Sequence, residues 1–273
     1  MDEKVPELLD LTKKFLDQSM EIVEDSIPSI ESVPAEEVRY SIFLRVQMSE
    51  ALKFGYGAYY SCNHGWGHGA IGAARSIYEI LLDIKYINTE ESRKEERFVR
   101  FVDHGAEYLY CKIERIHESG QQVSQKEQSE YTAAYDQLRK KYNDKHKQEV
   151  DTGTKKADAT PKHRPYNWAG LDLTEKVKEV NLEQFHQLYK DLANLSHVSI
   201  SAMLDAISES TDDQFKVNLN LRPCYIHCFT VLMIIFTCIT GVLEEYMKYF
   251  GIRYSSYPDL ENLWKDYKEL LNK

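Results

Sequence analysis

The chain has 273 residues, 42% of them hydrophobic, with only twelve glycines and seven prolines, and carries a formal net charge of −10. That length and apolar content suffice for a sizeable core, and so few turn formers exclude an all-β sandwich. The acidic balance excludes whole-surface attraction to nucleic acid or anionic lipid, leaving such partners only a local basic face.

The five cysteines (Cys62, Cys111, Cys224, Cys228 and Cys238) are odd in number and show no C-x-x-C spacing. They fit reduced intracellular thiols better than a disulfide framework. The start, Met1-Asp2-Glu3-Lys4, lacks the basic-then-apolar pattern of a signal peptide, so a cytoplasmic location is expected. Apolar periodicity predicts helices over roughly 4–26, 35–61, 70–88, 90–119, 124–149, 173–207 (broken), 222–250 and 258–272. The expected architecture is all-α: a single helical domain over 1–273, built as one large bundle around an apolar helix at 222–250.

In chain order, the second helix carries Leu44, Met48, Ala51, Leu52, Gly55 and Tyr59 at three-to-four spacing, a clean stripe for burial. A glycine-rich turn, Asn63-His64-Gly65-Trp66-Gly67-His68-Gly69, then feeds the third helix. There Ile71, Ala74, Ile77, Tyr78, Ile80, Leu81, Leu82, Ile84 and Ile87 cover more than half the circumference, while Arg75, Glu79 and Asp83 share one narrow polar strip. An i,i+4 ion pair between Arg75 and Glu79 is expected. Gly67-His68-Gly69-Ala70-Ile71-Gly72 satisfies G-x-G-x-x-G literally, but a helix precedes it where the dinucleotide fold needs a strand, so that reading is rejected. His64 and His68 lie four apart, a metal-ligand spacing only if helical, and the interleaved glycines argue against a helix there.

On the fourth helix, Arg93, Arg97, Arg100, His104 and Arg115 fall within a sector of about 60°. This basic stripe is either a solvated face paired with Glu91, Glu95, Glu96 and Glu107, or an anion site with His104 as a proton-transfer group. The fifth helix, 124–149, is mostly polar and is expected to form an arm. Residues 150–170 make a long loop in which Lys162-His163-Arg164-Pro165-Tyr166-Asn167-Trp168 mixes base and aromatic; Trp168 could stack on a nucleobase or pin the loop. Farther on, Leu182, Phe185, Tyr189 and Leu192 form a core-facing stripe, with His186 and His197 on one face. Those two histidines would lie about 16 Å apart on a helix and cannot share a metal.

Between Cys224 and Leu243 no formal charge occurs, over about the length of a bilayer span. Cys, His and Thr dilute its hydrophobicity, so a fully buried core helix is the expectation and a membrane anchor the alternative. No H-E-x-x-H, Walker loop or G-x-S-x-G occurs, so neither metal nor cofactor is expected.

The order Arg75-x-x-x-Glu79 on a helix, an Arg-Phe run at 97–101, Trp168 in a loop, then Tyr189 followed by Ser196-His197, resembles a bacterial family, domain-of-unknown-function family 5677. The resemblance spans roughly residues 40 to 245. It implies an all-helical, cytoplasmic protein with Arg75, Glu79 and His197 as its polar signature, and no established activity. A looser likeness is to the HEPN helical nucleases, in which four to six residues separate an arginine from a histidine near a dimer interface. Arg97 and His104 fit that spacing, although Phe98 stands where those proteins usually carry a polar residue. The likeness implies metal-independent RNA cleavage, with His104 as general acid/base and Arg97 stabilising charge on phosphate.

Two functions follow as expectations. The first is a non-catalytic protein whose Arg75, Glu79, Tyr189, His197 and Trp168 form a polar cluster or hold a small polar or anionic ligand. The second is a homodimeric HEPN-like ribonuclease, in stress or phage defence, that meets nucleic acid through the basic stripe.

Overall fold

The computed structural model describes residues 4–26, 34, 37–105, 119–120, 124–126, 128–129, 132–133, 140, 169, 171, 173–184, 186–187, 189–190, 207–208, 216–217 and 227–272. Two compact units are present, Met1–Tyr86 with Val180–Lys273, and Ile87–Glu179. In chain order the helices are α1 (Val5–Asp25), α2 (Val38–Asn63), α3 (Gly67–Asn88), α4 (residues 94–105, after a 3₁₀ turn at Glu91–Arg93), α5 (Leu173–Glu179), α6 (Cys228–Phe250) and α7 (Pro258–Asn272). Described positions between 183 and 190 are helical as well. The protein is all-α, as its periodicity requires; the described residues add one two-residue antiparallel pair, Ile207–Ser208 with Lys216–Val217.

The first unit is organised around α6. Leu232, Ile235, Phe236, Ile239, Leu243 and Tyr246 are fully enclosed along one stripe, Ile234 and Gly241 on the opposite side are buried too, and no residue from Cys228 to Leu243 is exposed, as in a core helix. α1 and α2 pack against it, and α7 packs against α1. Phe236 stacks on Phe15 of α1 at 4.3 Å and on Tyr267 of α7 at 4.1 Å. Two of the hydroxyls that dilute α6 are satisfied locally. Thr240 donates to the Phe236 carbonyl at 2.8 Å, and the Thr237 and Tyr267 hydroxyls meet at 3.0 Å, so they add little cost to burial. By length and composition α6 could also cross a membrane. Its C-terminus closes on Gly251 at φ 66°, with Gly251 N–H to Lys248 O and Ile252 N–H to Met247 O, the paired bonds of a left-handed glycine cap.

Close approach is achieved with glycine. A Cβ on Gly55 of α2 would lie 2.7 Å from Ile239 and 2.8 Å from Leu16, and one on Gly241 would lie 2.8 Å from Leu81 of α3. A Cβ on Gly67 would meet the Cys228 backbone nitrogen at 2.7 Å. The start of α3 is thus pressed onto the start of α6.

Several expectations shift. α3 begins at Gly67 rather than near residue 70, because Gly65 at φ 75° completes the turn and leaves Gly67 and Gly69 to serve as helical residues. The predicted break in 173–207 falls after Glu179, where Asn181 takes φ 57°, a left-handed value that asparagine tolerates and that ends a helix. Residues 207–208 are extended, not helical. Of the 124–149 arm only scattered positions are described, and those after Ser124 are helical. The loop 150–170 lies outside the described residues except for Ala169, which is buried. Residues 222–226 also lie outside them.

Candidate functional site

The polar strip of α3 meets Tyr189 of the 183–190 stretch. Arg75 Nη2 donates to the Tyr189 hydroxyl at 3.3 Å, and that hydroxyl donates to Glu79 Oε1 at 2.8 Å. The Arg75 guanidinium also lies over the Tyr189 ring, 5.3 Å from its centroid, within cation–π range. The expected direct Arg75–Glu79 ion pair is absent among the described ion pairs; the phenol oxygen links the two charges instead. One turn of helix brings Arg75 and Glu79 to the same face, and Tyr189 fits between their heads.

Around this triad, Tyr78 stacks on Tyr189 at 4.8 Å, and the buried His186 ring runs nearly parallel to Tyr189 at 6.1 Å. The Tyr78 hydroxyl is fully buried and makes no hydrogen bond among the described residues. Burial raises the Tyr78 phenol, with smaller contributions from Cys238 and Tyr189. Burial also raises Tyr189; Arg75 opposes the shift and Glu79 reinforces it. Both phenols are therefore neutral donors at physiological pH, not nucleophiles. Tyr189 is buried, Arg75 half-buried and Glu79 exposed, so the cluster has a dry floor and a wet rim. His197 and Trp168, expected here, lie outside the described residues.

The basic stripe resolves differently, within the second unit. Arg97 is only 1% exposed; its Nη2 reaches Glu90 at 2.9 Å and Glu179 of α5 at 3.3 Å. Arg93 lies 3.6 Å from both Glu90 and Glu96, Arg100 bonds Glu96, and Lys94 sits 4.0 Å from Glu91. Four cations thus face four carboxylates, which cancels the field that an anion site would need. Val102, one turn beyond the buried Phe98, is 37% exposed. His104 is half-buried, and Arg115 lies outside the described residues. Glu90 and Glu179 were not legible as partners of Arg97, because one precedes the helix and the other is distant in sequence. His186 and Tyr78 could have been found: His186 sits three residues before Tyr189, and Tyr78 lies between Arg75 and Glu79.

His64 and His68 do not pair. His64 caps α2 with its Nδ1 2.8 Å from the Tyr60 carbonyl, whereas the His68 ring faces His227 at 5.9 Å. Among the described residues no group of three or more His, Cys, Asp or Glu is placed to hold a metal.

These features define an all-helical protein with a buried apolar helix and an Arg–Tyr–Glu cluster on a neighbouring helix. The chain belongs to a family of unknown function, DUF5677, whose family model matches residues 44–215. Arg75, Glu79, Tyr189 and Arg97 fall inside that stretch; α1, α6 and α7 fall outside it. No curated protein and no solved structure is matched.

Proposed function

We propose that this is a non-catalytic helical binding protein whose Arg75–Tyr189–Glu79 cluster takes a small polar ligand with an acidic or hydroxyl group. The observation that carries this reading is the single phenol oxygen held between a guanidinium and a carboxylate at a solvent-facing rim. A ligand acid suits the Arg75 fork, and a ligand hydroxyl or amine suits Glu79. Tyr189 already models both contacts with its own oxygen. The buried Tyr78 hydroxyl adds support: an unsatisfied buried donor costs about 1–3 kcal/mol, and a polar ligand atom or a water would satisfy it.

The nuclease reading gains no comparable support, because Arg97 is enclosed and held by two carboxylates. Burial of α6 favours a core helix over a membrane anchor, and the thiols of Cys62 and Cys238, which form no disulfide among the described residues, favour a reducing, cytoplasmic setting. A thermal-shift screen of small hydroxy acids, amino acids and phosphate esters tests the proposal. A binder should raise the melting temperature of the wild type but not that of Arg75→Gln or Tyr189→Phe. If no compound stabilises the wild type, or if stabilisation survives both substitutions, the cluster is purely architectural.

A further inference from the structure

The side of α2 turned away from the core carries residues that the chain's own packing does not explain. Leu44, Met48, Leu52, Gly55 and Cys62 are buried within the first unit. On the opposite side Ile42, Val46, Lys53, Gly57 and Tyr60 are all exposed, and helical spacing puts them within a sector of about 60°. Ile42 and Val46 are each 51% exposed and Tyr60 53%. Three of the six large hydrophobics exposed among the described residues thus lie on one stripe, about 27 Å long.

Two features set this stripe apart from an ordinary solvent face. Isoleucine and valine lose rotamer freedom in a helix, so their exposure serves neither the core nor the helix itself. Glycine is a poor helix former as well, yet a Cβ on Gly57 would meet nothing within 4 Å. Gly55 is needed because Ile239 and Leu16 fill its space, whereas Gly57 faces open space. Between the apolar ends lie Glu50 and Lys53, paired at 2.6 Å with both side chains open to solvent.

We propose that this stripe is a self-association surface, on which α2 packs antiparallel against α2 of a second copy of the chain. A two-fold axis between Glu50 and Lys53 sets Glu50 of each copy against Lys53 of the other. The same register sets Val46 against Gly57, because Val46 precedes Glu50 by as many residues as Gly57 follows Lys53. The missing Cβ at Gly57 receives the valine and lets the helix axes approach to about 8 Å. Ile42 then comes beside Tyr60, apolar against aromatic. The within-chain Glu50–Lys53 pair becomes part of a ring of four alternating charges, so no charge is buried alone. Opposite charges on one surface are what a self-complementary two-fold contact requires. An anionic membrane would call for a basic face instead, and here the two central charges cancel.

The test follows the mass of the full chain by sedimentation velocity between about 1 and 100 µM. A reversible monomer–dimer equilibrium is expected. Glu50→Lys and Lys53→Glu should each weaken it about tenfold or more, since each sets like charges across the axis twice. An equimolar mixture of the two variants should dimerise again. The within-chain pair stays broken in both variants, so only contact between copies can restore association. Gly57→Leu should also weaken the dimer while leaving the circular dichroism unchanged, because the space it enters is open within one copy. A monomeric mass at every concentration would leave the stripe to a partner of another kind and overturn the proposal. So would a dimer indifferent to these substitutions, or single variants that stay monomeric when mixed.

Discussion

Replacing Arg97 separates packing from charge in the second unit. The side chain is 1% exposed, yet its partners Glu90 and Glu179 are 46% and 40% exposed. Once the guanidinium is gone, water can hydrate both carboxylates, so neither is stranded as a buried charge. The half-exposed ion pairs themselves are worth about 0.2–1 kcal/mol each. The aliphatic stem is a different matter: the γ and δ methylenes that alanine lacks contribute about 0.8 kcal/mol each, and alanine would leave a cavity besides. Arg97→Ala should therefore cost about 3 kcal/mol, and Arg97→Met, which refills most of the volume, about 1 kcal/mol. Urea unfolding of the full chain, followed by far-ultraviolet circular dichroism, measures both. If methionine is as damaging as alanine, charge and not packing holds this position, and the reasoning fails.

Two more outcomes can be checked in the same way. Gly67→Ala should cost at least twice as much as Gly55→Ala in urea unfolding. The first runs into the Cys228 backbone nitrogen, while the second meets the movable ends of Ile239 and Leu16 and regains up to about 1 kcal/mol of helix propensity. Stability should also fall in alkali. Burial pushes the Cys238 thiol from 9.0 up to about 12 and the Tyr267 phenol from 10.0 up to about 12. Each neutral form is retained in the fold after the unfolded chain would ionise. The stabilisation is therefore complete below pH 9 and is lost as pH rises towards 12. A flat melting temperature between pH 9 and pH 11 would contradict it.

The helices were legible because their stripes are long and regular. Leu44, Met48, Ala51, Leu52 and Gly55 sit on one face of α2 and are all buried, and the charge-free run of α6 has no exposed residue from Cys228 to Leu243. On α3 the wheel located Arg75 and Glu79 on one face but missed their link, because the oxygen that joins them comes from Tyr189, far along the chain. On α4 the wheel grouped the cations with Glu91 and Glu96 but did not show which of them is enclosed. There Arg97 and Phe98 are both buried and Val102 is exposed, since two glutamates outside the helix make arginine burial tolerable. Helix periodicity records which side of a helix is apolar; it is blind to a charged group whose counterions arrive from elsewhere. The same blindness hid His227 as the neighbour of His68.

The notches at Gly55 and Gly241 bear on how this fold can change length. Each is a gap one methyl wide, and a neighbouring side chain, Ile239 or Leu81, fills it. Inserting a single residue upstream in α2 or α6 would swing the notch by about 100° and drive a full side chain into the space it served. Growth and shrinkage of the chain are thereby steered away from these helices and into the stretches that join them.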